Sequence, residues 1–393
     1  MPRLSRRMAA MAEGNRVSAL ELFFDLVFVY ALTQVTALMA HDGGSAGGIV
    51  RGLLVLALLW WCWCCYAWLG NTVRAHEGMT RIALFGVMAT MFVVALTIPE
   101  AFDDLPGGLY APAVFVVCYL VVRVLHLSVY WQAARGDWGL RRQVLRASVP
   151  MLAGASLLTV AAFADTLTGR TVLWAAALGA DYVGIFLTGA RGWRINSAAH
   201  WAERHSLIII VALGESIVSI GVGVIDEPIS WPIIAASALG IAVSAALWWA
   251  YFDRLSTAAE HALARLHDVP RAALARDSYT YLHYPMIAGI IVLSFGLKKV
   301  FADLGEPLKP IGVYALYGGV VLYLLGQLGF RLRSLGTVGW PRVIAALGLV
   351  GLVPVAMQVP ALVALALLAV VCVAMVAVES AVPDRARAER VPT

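Results

Sequence analysis

Charge is the scarcest commodity in this 393-residue chain. Asp, Glu, Lys and Arg together make up 13% of it, about half the share usual in soluble domains. With 61% hydrophobic residues and a mean hydropathy of +0.81 over the whole length, almost no length is left for an aqueous domain. The length would permit two or three soluble domains of roughly 150 residues, but the composition excludes them, together with secreted, nucleic-acid-binding and disordered classes. Cysteine is sparse too: Cys62, Cys64, Cys65, Cys118 and Cys372 all lie inside apolar runs. A disulfide framework or a zinc site there would lack polar surroundings, so they read as free thiols. Cys62 and Cys65 have a C-x-x-C spacing without the strand context of a redox fold. A Walker loop, a G-x-S-x-G elbow, an H-E-x-x-H helix and an aspartate-rich diphosphate motif are all missing, which excludes ATP-driven transport within this chain. The N-terminus carries Arg3, Arg6, Arg7 and Arg16 but no short apolar core ending in a small-residue cleavage site, so no cleaved signal peptide is expected.

What the chain has instead is apolar length. A hydrocarbon core of about 30 Å takes roughly 20 apolar residues per helix. The sequence divides at its charge and Gly/Pro clusters into twelve such runs: 20–40, 49–69, 80–99, 111–131, 146–165, 171–190, 205–224, 231–252, 280–300, 310–330, 341–357 and 359–380. They are too long and too uniformly apolar for barrel strands, so the fold class is all-α, a polytopic integral membrane bundle of about twelve transmembrane helices. The long stretch 253–279 carries spaced Leu and Ala and reads either as an amphipathic surface helix or as a solvated connector.

The net charge of +5 does not imply an acidic partner, because the basic residues sit in short segments between the runs. Loops after even-numbered runs hold Arg74 and Arg81, then Arg135, Arg141, Arg142 and Arg146, then Arg191, Arg194 and Arg204, then Arg254, Arg265, Arg271 and Arg276, then Arg331, Arg333 and Arg342. Loops after odd-numbered runs hold Asp42, Glu100, Asp103, Asp104, Asp165, Asp226 and Glu227, with Arg51, Arg170 and Lys309 as a basic minority. The positive-inside rule then puts both termini in the cytoplasm of a multi-pass protein of the bacterial inner membrane. Lys298 and Lys299 are the exception, and are expected to snorkel outward. The expected division is a cytoplasmic segment 1–19, two membrane halves of six helices at 20–190 and 191–380, and a cytoplasmic tail 381–393. Weak internal similarity supports two parallel halves: Ala31-Leu32-Thr33-Gln34 against Ala212-Leu213-Gly214-Glu215, and Trp63 and Tyr66 against Trp248 and Tyr251.

An ionisable side chain at membrane depth is costly and is a functional candidate by default. Glu21, Asp25, Leu32 and Thr36 fall on one stripe of the first run, which should face the bundle interior. Arg123, with His126 a turn away, and Asp181 lie near the middles of their runs and can pair, either as a structural lock or as part of a pathway. Glu215, with Ser216 and Ser219 beside it, is either a proton-exchanging carboxylate or a hydrogen-bonded structural one. Glu21, Glu203, His205, Asp253 and His283 share one membrane side and are expected to converge on a cytoplasmic vestibule. Their composition would suit a divalent metal, but no ligand spacing occurs, so no metal or other cofactor is expected. The clusters Trp60, Trp61 and Trp248, Trp249 suit interfacial anchoring.

The stretch from Val17 to Gln34, VSALELFFDLVFVYALTQ, resembles the opening signature of the bacterial low temperature requirement protein A (LtrA) family. The stretch Glu203–Ser216, ERHSLIIIVALGES, is similar to its second signature, with Ser206 where Gly is expected, and Leu247–Asp253, LWWAYFD, to its third. The resemblance implies a polytopic bacterial membrane protein linked by name to growth in the cold, without naming a substrate. Its signatures contain Glu21, Asp25, Gln34, Glu203, His205, Glu215 and Asp253, which favours one shared site.

The expected function is a secondary, proton-coupled transporter of an unknown small molecule or ion. Asp25, Gln34, Glu215, Asp181 and Arg123 would form its pathway, and its expected partners are the lipid bilayer and that substrate, with no nucleic acid. The alternatives are a membrane-embedded enzyme acting on lipid or a lipid-linked substrate, and an ion or proton channel.

Overall fold

The computed structural model describes residues 14–41, 44–73, 78–225 and 227–381. Arg3, Arg6, Arg7, Asp42, Arg74, Asp226 and the tail after Ala381 lie outside the described residues. Among the described residues the named elements are all helical, and an isolated β-bridge joins Pro307 and Pro360. The first six helices are α1 (Ala19–Ala40), α2 (Ala46–Thr72), α3 (Gly78–Leu96), α4 (Ala111–Ala133), α5 (Trp138–Ala162) and α6 (Leu167–Thr188). Then follow α7 (Ala198–Gly223), α8 (Trp231–Phe252), the short α9 (Leu255–Ala264) and α10 (Asp268–Leu274), α11 (His283–Ala302), α12 (Pro310–Leu335), α13 (Trp340–Ala356) and α14 (Ala361–Ala381). Ten of the described helical segments are long and apolar enough to cross a membrane; α3 and α13 are shorter apolar helices. Together they match the twelve runs.

The largest differences from those runs are the starts of α5 and α7, which begin a turn or two earlier. The cause is capping: Asp137 accepts from the Leu140 N–H at 3.0 Å and Ser197 from the His200 N–H at 3.2 Å. Each cap satisfies an N–H that the helix itself cannot, so the helix starts at the cap while the apolar run starts deeper. α1 begins with a full capping box between Ser18 and Glu21.

Contacts between loops sort the helix ends into two faces. On the face where α1 starts, called near, Arg194 pairs with Asp137 and Arg333 with Asp277, and Arg342 bonds Glu379 and the Ala250 carbonyl. On the far face the Tyr110 hydroxyl bonds the Ala162 carbonyl, Arg170 bonds the Phe102 carbonyl, and the Ala361 N–H bonds the Glu306 carbonyl. Consecutive spanning helices therefore run in alternate directions, and α1, α7 and α11 run the same way.

The segment after α8 resolves into α9 and α10, then a π-helical stretch Ala275–Tyr281 that leads into α11. α9 is amphipathic, burying Leu255, Ala259 and Leu263 at i, i+4 and i+8. The π-helical stretch is held by two indoles of α2: Trp60 Nε1 donates to the Thr280 carbonyl at 2.8 Å and Trp68 Nε1 to the Thr280 hydroxyl at 3.1 Å. α11 and α12 approach most closely where glycines face each other. A Cβ on Gly289 would lie 2.5 Å from the Gly319 carbonyl oxygen, and one on Gly296 would lie 2.6 Å from the Leu316 nitrogen. Lipid tails supply no hydrophobic drive between helices, so backbone proximity of this kind is what membrane packing relies on. Phe23 and Leu26 of α1 and Val117, Val121 and Val124 of α4 are exposed on the outside of the bundle, where a bilayer would cover them.

Candidate functional site

The stripe expected on α1 does face inward. Glu21, Asp25, Phe28, Leu32 and Thr36 are all buried, and the helix they face is α7. Along α7 the residues His200, Arg204, Ile208, Ala212, Glu215 and Ser219, spaced four, four, four, three and four apart, are also buried. The two helices run parallel and in step, so the polar ends of each stripe meet those of the other.

At the near end, Arg204 Nη1 donates to Asp25 Oδ2 at 2.7 Å and to the Glu21 carbonyl at 3.0 Å. Its guanidinium lies 5.1 Å from the ring centroid of Trp63, whose Nε1 donates to the other Asp25 oxygen at 2.8 Å. His200 Nε2 is 2.9 Å from Glu21 Oε1, and Asn71 Nδ2 is 3.2 Å from His200 Nδ1. The amide nitrogen can only donate, so the His200 proton sits on Nε2 and points at the carboxylate. Asn71 is itself fixed, accepting from the Asn196 N–H at 2.7 Å and donating to the Ser197 carbonyl at 2.7 Å.

At the far end Glu215 is 1% exposed. Thr33 Oγ1 donates to its Oε2 at 2.6 Å, and Thr36 Oγ1 and Ser219 Oγ donate to its Oε1 at 2.6 and 3.1 Å. Lys298 of α11 provides the charge: its Nζ is 3.7 Å from Glu215 Oε1 and 2.9 Å from the Thr36 hydroxyl. Lys298 thus turns inward instead of snorkelling out, because the buried Glu215 carboxylate on the adjoining α7 would otherwise be left without a counter-charge.

Between the two ends the stripes are apolar. Phe28, Leu32, Leu59, Ile208 and Ile287 surround a void of about 10 Å³, at most about one water. Asp25 and Thr36 are eleven residues apart on α1, and so are Arg204 and Glu215 on α7, about 16 Å along each helix. Beside this plug sits His205, fully buried among Trp60, Trp63, Trp201, Tyr279 and His283. Its Nδ1 donates to the Trp201 carbonyl at 2.9 Å, which leaves Nε2 with a lone pair and no partner. His283 donates from Nδ1 to the Ser278 carbonyl at 3.1 Å, and its Nε2 accepts from the Tyr251 hydroxyl at 2.9 Å.

The other expected residues fall elsewhere. Glu203 turns to the near surface, accepting from the Val17 N–H at 3.0 Å, with Arg16 at 3.9 Å. Asp253 ends α8 with its side chain 38% exposed and pairs with Arg254; Tyr251, two residues earlier, is what reaches His283. Gln34 is half-buried and is not among the residues that hold Glu215. Arg123 and Asp181 do pair, at 3.1 Å and both nearly fully buried, on the opposite side of α2, where Arg123 Nη1 also lies 3.0 Å from Cys65 Sγ. All five cysteines are free.

Of the residues that complete the site, His200 is not singled out by the sequence and Arg204 enters only as a topology charge; Trp63 and Thr33 enter only in the internal similarity, and Lys298 only as a snorkelling exception. A legible signal existed for the first two: their i, i+4 spacing continues through Ile208 and Ala212 to Glu215 on one helical face. Lys298 is joined to Glu215 only by the fold.

No solved structure matches the chain. An uncharacterized protein of Rhizobium meliloti (strain 1021) is 30% identical over 338 residues, covering 81% of this chain and 78% of that protein. The model of the family described as bacterial low temperature requirement A protein (LtrA) matches residues 16–377, which include α1 and α7 with both polar ends of their stripes. The chain therefore belongs to the bacterial low temperature requirement A family.

Proposed function

We propose that the chain is a proton-coupled secondary transporter whose pathway follows the interface of α1, α7 and α11. One observation carries this reading: two ionic sites, Asp25–Arg204 near one face and Glu215–Lys298 near the other, lie along the interface of the parallel helices α1 and α7, the second completed by Lys298 of α11, with an apolar plug between them. A transporter needs that arrangement, since an aqueous route open at both ends would dissipate any gradient. Ionisable groups at such depth cost at least about 2.5–3.5 kcal/mol each on insertion scales, and a purely structural role would be served as well by apolar contacts. Protonation of Glu215 would leave Lys298 without its counter-charge, and that change in charge is the event that substrate movement would be coupled to. His205, the residue after Arg204 on α7, presents its Nε2 beside the near end of the plug.

Described near-face loops and helix ends carry Arg135, Arg191, Arg194, Arg254, Arg265, Arg331 and Arg333 against Asp137, Asp253, Asp268 and Asp277, whereas those of the far face carry Glu100, Asp103, Asp104, Asp165, Glu227, Asp303 and Glu306 against Arg51, Arg170 and Lys309. By the positive-inside rule the near face is cytoplasmic in a bacterial inner membrane, with both termini on that side.

Proton flux in proteoliposomes tests the proposal, comparing wild type with Glu215→Gln and Asp25→Asn under imposed pH gradients and potentials. Flux driven by either gradient and lost in both variants is expected. Flux unchanged by both substitutions overturns the assignment of these carboxylates.

A further inference from the structure

On the other side of α2, away from the α1–α7 stripes, a cavity of about 60 Å³ lies between α2, α4, α5, α6 and the π-helical stretch. Its walls are aromatic: Trp61, Trp68, Tyr130, Trp193 and Tyr281. Its polar lining is Arg123 and His126, one turn apart on α4, with Arg276 and Thr280 of the π-helical stretch and the Cys64 and Cys65 thiols of α2. His126 is 6% exposed, and neither of its ring nitrogens has a hydrogen-bond partner. Arg123 Nε, also buried, has none either. A buried polar group without a partner costs about 1–3 kcal/mol, and here three such nitrogens lie on two side chains that line one cavity. A packed core has no use for that set, whereas a ligand with an acceptor atom does.

We infer that this cavity binds a flat, neutral lipophile with a carbonyl acceptor, of the quinone type. Three features select that chemistry. The aromatic walls favour a planar ring, which stacks on them. The guanidinium of Arg123 is already neutralised by Asp181 at 3.1 Å and that of Arg276 by Asp277 at 2.8 Å, so an anionic ligand would bring a further negative charge beside those carboxylates and a cationic one would face the guanidiniums. A neutral imidazole and the Arg123 Nε–H together offer two donors and one acceptor, which suits ring carbonyls. The rim residues Leu127 and Ile185 are half-buried and lie on spanning helices, so the ligand arrives from the bilayer. This site shares no residue with the Glu215–Lys298 or Asp25–Arg204 clusters, and its fate is independent of the transport reading.

The test is equilibrium binding of radiolabelled decylubiquinone to the detergent-solubilised full chain. The ring of this probe is fully substituted and does not add the Cys64 or Cys65 thiols. Unlabelled decylbenzene, flat but without an acceptor, and dodecanoate, an anion, serve as competitors. Saturable binding of one probe per chain is expected, with decylbenzene at least tenfold weaker and dodecanoate weaker still. His126→Phe should weaken probe binding at least tenfold. Ala147→Phe, which fills the cavity from α5, should abolish it. Circular dichroism and thermal unfolding establish that each variant is folded, and the second variant keeps the test valid if the first is not. Absence of saturable binding, equal affinity in wild type and both folded variants, or tighter binding of dodecanoate than of decylubiquinone each overturns the inference.

Discussion

Replacing Lys298 with Met removes one charge from the far site and little volume. At 3.7 Å the Lys298–Glu215 attraction amounts to about 4–5 kcal/mol at an effective dielectric constant of about 20. The three hydroxyl donors from Thr33, Thr36 and Ser219 would remain, but the carboxylate would be buried without a counter-charge. Breaking a buried pair by removing one partner costs about 3–5 kcal/mol, and Lys298→Met is expected to fall in that range. Glu215→Gln should cost less, because the Lys298 side chain is 16% exposed and its stem can swing to the far face. In the double variant the Gln carbonyl oxygen can take the Oε1 position and still accept from Thr36 and Ser219, while its amide faces the Thr33 hydroxyl as a donor. Much of the Lys298→Met loss should therefore be recovered, with a coupling energy of at least about 2 kcal/mol. Equilibrium unfolding in mixed micelles measures it, read by the fluorescence of the 13 tryptophans. If the two single effects add to the double effect within about 0.5 kcal/mol, the limit for independent sites, the pair is not energetically coupled and the far site is wrong.

The Arg123–Asp181 pair, 3.1 Å apart, should behave alike: Arg123→Met alone is expected to cost about 3–5 kcal/mol, and Arg123→Met with Asp181→Leu markedly less, in the same unfolding assay. Gly289→Ala would force a Cβ to within 2.5 Å of the Gly319 carbonyl oxygen and should reduce the yield of folded protein. Gly86→Ala, where nothing lies within 4 Å, should be neutral or stabilising by about 0.5–1 kcal/mol; size-exclusion profiles and melting curves distinguish the two. Phe28→Ala thins the plug between the ionic sites. A passive proton leak, read by dye quenching in proteoliposomes, should rise above wild type, and a leak no greater than wild type would show that Phe28 is not part of the barrier.

The twelve apolar runs, the helical class and the inward stripe of α1 could all be read from the sequence, because insertion into hydrocarbon is decided by local composition and 3.6-residue periodicity. The family was legible for a related reason: its signatures are short contiguous stretches within α1, α7 and α8. Caps displaced the starts of α5 and α7, since hydropathy does not register a hydrogen bond to an N–H. What sequence order could not supply was partnership. Glu203, Arg204 and His205 are adjacent in the chain, and sequence order places all three at one membrane side. At 100° per residue, however, they point to the surface, to Asp25 and to an aromatic box respectively. Asp253 was grouped with them by membrane side alone, and the structure leaves it at the end of α8 with Arg254. Lys298 illustrates the limit best: its position near a helix end suggested snorkelling, and only the packing of α11 against α1 and α7 brings it to Glu215. Depth and periodicity are properties of one helix and are written in its sequence. The choice of counter-ion belongs to pairs of helices, 83 residues apart in the chain for Glu215 and Lys298 and 179 for Asp25 and Arg204, and only their packing decides it.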